Sequence, residues 1–427
     1  MALNRDAMLD RLPGRWDVII IGGGATGLGC AVESATRGYR TLLVEQSDFA
    51  KATSSRSTKL IHGGLRYLRQ GNVSLVFEAL RERGRLIRNA PHLVHDLSFV
   101  IPLYDWWEGP FYGLGLRIYD LLAGDLGLAR SRTLSIEQTL AEIPNLEPEG
   151  LRGGIVYSDA QFDDARLAIT LALTAADHGA TLLNAMRVES LLRSGEKIAG
   201  VVASDLESGD RWEIQGQTVI NATGVFADAV RALDEPAATP LIHPSQGVHL
   251  VLDRSFHSGS HAMMVPHTAD GRVLFAVPWH DHLVIGTTDT PVPSPELEPR
   301  AKREEITFLL EHASRYLTRD PAESDIRSCF AGLRPLVVDA DEEKTASLSR
   351  DHVIMVSASG LLTVTGGKWT TYRRMAQETI DRAAEEGSLE RSPSVTKRLR
   401  LHGWTLEPER GWRSVYGSDA GGIAQLE

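Results

Sequence analysis

The sequence predicts an α/β fold, α+β overall, in which a doubly wound domain of parallel strands is interrupted by an antiparallel-sheet domain. Three observations carry this. A strand, a glycine-rich turn, a helix and a second strand open the chain; βα patterns return later; and a middle stretch holds short strands separated by turn residues. Asp17-Val-Ile-Ile-Ile21 is a short apolar run of the kind shown by a parallel strand buried on both faces. Ala25 to Arg37 reads as a helix stopped by Gly38, and Thr41-Leu-Leu-Val-Glu45 as the next buried strand. Pro and aromatic content rises between Pro102 and Pro148. Asp164 to His178 reads as a helix that turns at Gly179 into a strand at Thr181-Leu-Leu183. Val201-Val-Ala203 and Trp212-Glu-Ile214 alternate like a hairpin, and Thr218-Val-Ile-Asn-Ala222 is one more buried strand. From Pro236 to about Arg300, short strands between Gly, Pro, Asp and His predict an antiparallel sheet. Leu361 to Arg382 restores a βα pattern, and the tail after Glu385 is charged without a strong period.

Composition bounds the class. At 427 residues the chain is long enough for about three structural units and a sizeable core. Its 42% hydrophobic and 24% charged residues exclude a disordered or fibrous protein. A net charge of −11 disfavours nucleic acid as a partner, so any cluster of cations must be a local pocket. Two cysteines, Cys30 and Cys329, allow no disulfide framework or four-cysteine metal site, which suits a reducing compartment. Arg5, Asp6, Asp10 and Arg11 interrupt the first sixteen residues, so no secretory signal is expected there. No window approaches the ~18 apolar residues of a membrane span. Neither H-E-x-x-H nor G-x-S-x-G occurs, and no metal is expected.

Gly22-Gly-Gly24-Ala-Thr-Gly27 fits G-x-G-x-x-G, follows a strand and opens a helix. Glu45 stands 21 positions after Gly24, where an acid accepts from a ribose hydroxyl. Small residues let the backbone approach a pyrophosphate, whose charge sits on the helix N-terminus. The alternative is a tight strand–helix turn without a ligand. NAD and FAD share this Rossmann-type fingerprint. An NAD domain would continue in regular βα units, whereas here Thr53-Ser-Ser-Arg-Ser-Thr-Lys59 offers hydroxyls to line a long ligand.

Ala52-Thr-Ser-Ser55 followed by Lys59-Leu-Ile-His-Gly-Gly-Leu-Arg-Tyr-Leu68 resembles the FAD-dependent glycerol-3-phosphate dehydrogenases, within the D-amino-acid oxidase-like flavoproteins. Tyr157-Ser-Asp159 with Asp163-Asp-Ala-Arg-Leu167, Asn221-Ala-Thr-Gly224, Ile285-Gly-Thr-Thr-Asp289, Gly332-Leu-Arg-Pro-Leu336 and Gly366-Gly-Lys-Trp-Thr-Thr-Tyr-Arg373 agree, in order. With the apolar pattern, the resemblance implies a discontinuous FAD-binding domain of residues 14–75, 150–235 and 325–388. A substrate or cap domain of 76–149 and 236–324 would hold a membrane-contact segment, and 389–427 would be a truncated C-terminal helical region. The implied chemistry is oxidation of sn-glycerol 3-phosphate to dihydroxyacetone phosphate, by hydride transfer from C2 to N5 of non-covalent FAD, with reoxidation by membrane quinone. The implied location is cytoplasmic, peripheral on the cytoplasmic face of the cell membrane; a homodimer is one assembly open to it. Trp369 departs from the aliphatic residue usual in the family.

By this resemblance the cofactor contacts are Gly22, Gly24, Ala25, Thr26 and Gly27 at the turn, then Glu45 and Gln46. They continue with Thr53, Ser54, Ser55, Lys59, Leu60, His62, Gly63 and Gly64, then Val188, Gly224, Gly367, Lys368, Trp369 and Thr370. Oxidising an alcohol that carries a phosphate dianion needs a hydride acceptor, a proton acceptor and positive charge. The flavin supplies the first. Arg66, Arg334, Arg350 and Lys368 are implied for the charge, with Tyr67 as a further substrate contact. Arginine suits bidentate phosphate contact and Lys a point charge, while the alternative for each is a solvated surface side chain. Lys368 also lies between a strand at Leu361 to Thr365 and a helix from Trp369, which aims an ammonium and a helix N-terminus at one spot. For the proton, His249 is preferred to His62, which suits packing against the flavin; a satisfied structural histidine is the alternative for both. The expected catalytic set is therefore His249, Arg334 and Lys368.

Asp105 to Ala123 is rich in aromatic and aliphatic residues around Arg117, which fits either a membrane-surface segment or core of the inserted domain. Other functions stay open: a glycerol-3-phosphate oxidase using oxygen, a related FAD amine or hydroxy-acid oxidase, and a flavin-binding subunit without turnover.

Overall fold

The structure is a computed structural model that describes residues 4–64, 72–265, 268, 273–337, 352–409 and 411–426. Two sheets organise it. In the first, strands β1 (Trp16–Ile21), β2 (Thr41–Val44), β7 (Thr181–Leu183), β10 (Arg211–Asn221) and β18 (Leu361–Gly366) run parallel in the order β18-β10-β1-β2-β7. Val18, Ile19 and Ile20 are fully buried, as a strand covered on both faces requires. Helices Ala25–Thr36, Asp164–Asp177 and Tyr372–Glu386 pack beside one another on this core. Antiparallel strands β8 (Met186–Ser194), β9 (Lys197–Asp205) and β17 (His352–Val356) extend the sheet. The hairpin strand and the buried strand expected separately at 212–214 and 218–222 are one strand. β10 pairs antiparallel with β9 over Arg211 to Gln215, then parallel with β1 from Gly216 to Asn221.

The second sheet has ten strands among the described residues. Its spine is β15 (Thr290–Pro291), β11 (Ile242–Asp253), β14 (His282–Gly286), β13 (Leu274–Trp279), β12 (Ala262–Val265), β4 (Val94–Leu103), β6 (Gly153–Phe162) and β3 (Leu60–Ile61). β5 (Arg132–Leu134) joins β6, and β16 (Ile326–Val337) joins β11. This moves three segments out of the expected nucleotide-binding portion: β3, β6 and β16 all belong to the second sheet. The physical reason is clear for β6, whose ten residues are all buried, so it lacks the polar–apolar alternation of a half-exposed antiparallel strand.

Helix Glu108–Ala123 has two faces. Tyr112, Leu116, Tyr119 and Ala123 are buried, while Phe111, Leu114, Ile118 and Leu121 are exposed, so the segment holds both a core face and an exposed apolar face. The tail is mostly short 3-10 turns with one brief helix, Ala420–Ala424; Leu401 packs into the first core and the His402 amide donates to Thr174 Oγ1. No described helix is long and apolar enough to cross a membrane.

Gly27 fixes how closely the first helix approaches β1. A Cβ there would lie 1.9 Å from the carbonyl oxygen of Gly22. Helix propensity alone would make Gly27→Ala stabilising by about 1 kcal/mol. The clash reverses the sign: the variant is expected to lose about 1–3 kcal/mol, read as a lower urea midpoint at unchanged slope.

Candidate active site

The first layer of the site is the turn after β1. Gly22 adopts φ +108°, and its amide donates to Val44 O at 2.8 Å, tying the turn to β2. Glu45, the residue after β2, receives the Gly23 amide on Oε2 at 2.7 Å and the Ser47 amide on Oε1 at 2.8 Å. Burial raises its pKa while these two amides oppose the rise. Ser54 Oγ accepts the Ala25 amide at 2.9 Å, and Ser54 O accepts Trp369 Nε1 at 2.8 Å. Thr53 Oγ1 donates to Leu333 O at 2.6 Å. The loop after Glu45 is thereby stitched to the helix start, to β16 and to the C-terminal βα unit.

These pieces enclose one cavity of about 550 Å³, lined by both sheets. Of the expected cofactor contacts, Gly22, Gly24, Ala25, Thr26, Glu45, Gln46, Thr53, Ser54, Leu60, His62, Val188, Gly224, Gly367, Lys368, Trp369 and Thr370 line it. Gly27, Ser55, Lys59, Gly63 and Gly64 do not. Gly27 serves the helix–strand approach described above. Gly63 faces inward, its amide donating to Tyr119 Oη at 2.9 Å and to Asp159 Oδ1 at 3.2 Å. Arg83 donates to the same carboxylate at 2.6 Å, closing a buried group around the loop.

Lys59 also turns away from the cavity. Its Nζ donates to Asp164 Oδ1 at 2.5 Å and to Ser55 O at 2.9 Å, and its backbone sits at φ +64°. Asp164, fully buried, further accepts the Ser57 amide at 3.0 Å and Ser57 Oγ at 2.6 Å. Lys59 is a brace for the loop; a lysine beside hydroxyls in the sequence gave no sign of a carboxylate partner 105 positions away.

His249 on β11 and Arg334 on β16 line the same cavity as Lys368. Arg334 donates to Thr287 Oγ1 at 3.0 Å and to Asp289 Oδ1 at 3.3 Å, and Asp289 in turn accepts from Ser245 Oγ. The Asp289 carboxylate, nearly buried, thus orients the guanidinium; the sequence marked its segment but not this role. Burial first, then the neighbouring Arg334 and Lys59 cations, push the His249 pKa down to about 3. The ring is neutral at pH 7, and the same burial and cations lower its affinity for a proton. Thr58, which was not among the expected contacts, lines the cavity with its Oγ1 2.9 Å from His249 Nε2. Arg66, Tyr67 and Arg350 lie outside the described residues.

The donor set suits a dinucleotide. Backbone at the start of a helix faces the cavity for a pyrophosphate, Glu45 is placed for a ribose, and the cavity continues past Thr53 and Ser54 to His249 and Lys368. The family model for FAD-dependent oxidoreductases (DAO) matches residues 17–373. Mitochondrial glycerol-3-phosphate dehydrogenase of Mus musculus is 42% identical over 417 residues, covering 94% of this chain and 57% of that protein. The Homo sapiens counterpart is 43% identical over 403 residues, covering 91% and 55%. The chain spans about half the length of these curated relatives. The X-ray structure of the glycerol-3-phosphate dehydrogenase from Bacillus halodurans complexed with FAD superimposes with a TM-score of 0.78 at 32% identity, covering 99% of this chain and 73% of that one.

The brace gives a direct test. Asp164→Ala leaves the Lys59 ammonium without its carboxylate and frees Ser57. It is expected to cost about 3 kcal/mol in urea unfolding and to lower the fraction of flavin retained through gel filtration.

Proposed function

Because the chain belongs to the FAD-dependent oxidoreductase family, we propose that it oxidises sn-glycerol 3-phosphate to dihydroxyacetone phosphate and passes the electrons to a membrane quinone. The observation that carries this reading is one cavity holding a dinucleotide cradle, a neutral buried histidine and the cations Arg334 and Lys368. Bound FAD supplies a hydride acceptor for the hydrogen on C2. His249 takes the proton of the C2 hydroxyl, so the carbon loses a hydride and the oxygen a proton, leaving a ketone. Arg334, aimed by Thr287 and Asp289, offers its fork to the phosphate dianion, and Lys368 adds a point charge. Arg66, Tyr67 and Arg350 are proposed to complete the substrate contacts. The relatives from mouse, human and Bacillus halodurans are named glycerol-3-phosphate dehydrogenases.

Glycerol 3-phosphate added without oxygen is expected to bleach the flavin band of the purified protein. An unchanged flavin spectrum would overturn the substrate. Hydrogen peroxide formed in step with substrate in air would replace quinone by oxygen as the acceptor.

The quinone part of the proposal, on the cytoplasmic face of the cell membrane, is supported by the outer face of helix Glu108–Ala123. Trp106 is 77% exposed just before it, Leu114 64% and Leu121 81%. Such a face suits the headgroup–acyl boundary of a bilayer. Replacing both Leu114 and Leu121 by Glu removes two apolar anchors worth about 1.5–3 kcal/mol each. Flotation with phospholipid vesicles is expected to fall at least about tenfold, while anaerobic flavin reduction stays at the wild-type rate.

A further inference from the structure

Helix Arg303–Ser314 contributes no residue to the cavity lining, yet its first turn carries a buried carboxylate, Glu305. Oε1 of that carboxylate accepts the hydroxyls of Thr288 at 3.0 Å and Thr290 at 2.7 Å. Oε2 accepts Gln246 Nε2 at 2.7 Å and the Lys302 amide at 3.0 Å. An ionised carboxylate offers about four acceptor positions, and here four donors fill them. The Lys302 amide alone would serve the start of the helix. The other three donors come from β11 and from the segment that follows β14.

Residues 287–290 have two working sides. Thr288 and Thr290 turn to Glu305, whereas Thr287 and Asp289 turn to Arg334, at 3.0 and 3.3 Å. That alternation is the one extended chain imposes on successive side chains. The Val248 amide on β11 donates to Thr288 Oγ1 at 3.0 Å, so the threonine proton is left to point at Glu305. Thr290 pairs with Gln246 across β15 and β11. Between Gln246 and Val248 stands Gly247, where a Cβ would lie 2.5 Å from Arg334 Nη2 and 2.6 Å from Thr287 Oγ1. The guanidinium therefore occupies the space that any other side chain at 247 would fill.

We infer that Glu305 is a positioning residue for recognition of the substrate phosphate. It clamps the outer side of residues 287–290 and so fixes the inner side, which aims Arg334. The inference rests on the proposed role of Arg334 as a phosphate contact. A bidentate guanidinium contact depends on direction as well as distance, so a segment that shifts or rotates weakens it. Glutamine at 305 turns one acceptor oxygen into a donor. That donor faces either the two threonine hydroxyls or the Gln246 and Lys302 N–H groups, and the clamp loses at least one of its four bonds.

The test uses the FAD-loaded protein and single-turnover flavin reduction without oxygen, followed over a range of glycerol 3-phosphate concentrations. Glu305→Gln is expected to raise the apparent Kd about tenfold, with the limiting reduction rate within about twofold of wild type. Thr288→Val, equal in size but without the hydroxyl, should do the same, and Thr288→Ser should restore the affinity. In an Arg334→Ala background, Glu305→Gln should change the Kd no further, because it acts through that guanidinium. An unchanged Kd in both Glu305→Gln and Thr288→Val would overturn the inference. So would a tenfold effect that persists without Arg334, which marks a general structural role. Should Glu305→Gln not fold, the Thr288 pair and their effect in the Arg334→Ala background decide the matter. Calorimetric titration with inorganic phosphate separates this inference from the reaction. A wild type that binds phosphate but is not reduced by glycerol 3-phosphate overturns the substrate reading, and the same variants then decide the clamp by their phosphate affinity. A wild type that binds neither overturns both.

Discussion

Asp164 ties the two sheets together. It begins the helix that follows β6 of the second sheet and packs beneath the first. Its carboxylate holds the loop that leaves β2 of the first sheet and enters β3 of the second. A buried carboxylate facing an ammonium recovers its desolvation cost only when its remaining lone pairs are also satisfied. Here Ser57 and the Ala165 amide complete the set. Because that loop also carries Thr53, Ser54 and Thr58, the ion pair sets one wall of the cavity as well as the junction between sheets.

The electrostatics of the cavity are internally consistent. In a protein with a net charge of −11, Arg334 and Lys368 line a single site. The cation that suits a phosphate dianion is one that keeps His249 deprotonated. Asp289 offsets part of the Arg334 charge while holding the guanidinium, and the same oxygen accepts from Ser245. One set of charges suits an anion and keeps the ring neutral, and an anion bound beside those cations would offset them and raise the ring's affinity for a proton.

What could be read from the sequence was local. The run Asp17–Ile21, the glycine turn and Glu45 specify a dinucleotide cradle within thirty residues, since strand burial, turn and helix start follow from neighbouring side chains. Arg334, His249 and Lys368 were legible through resemblance, and the cavity contains all three. The partnerships were not. Thr58 meets His249 across 191 positions and Lys59 meets Asp164 across 105, distances at which side-chain type says nothing about contact. The sheet membership of β6 and β16 was hidden for a related reason: strand pairing depends on the partner, and a fully buried strand looks the same in either sheet. Helix Glu108–Ala123 was legible only as an apolar segment; the 3.6-residue period divides it into a buried face and an exposed apolar face.

Neither sheet is encoded by a continuous stretch of chain. β1, β2, β7, β10 and β18 are gathered from residues 16 to 366, and the second sheet takes strands from residue 60 to 337. The chain passes between them repeatedly, so no single cut puts one whole sheet in each fragment. Long-range pairings of this kind make loop closure expensive before contacts reward it, which slows folding and leaves strand edges exposed in the meantime. A cradle assembled from the beginning, middle and end of the polypeptide exists only when all three have come together. A dinucleotide that binds there favours the assembled chain by mass action, so cofactor supply during synthesis bears on how much protein accumulates as well as on how much of it is active.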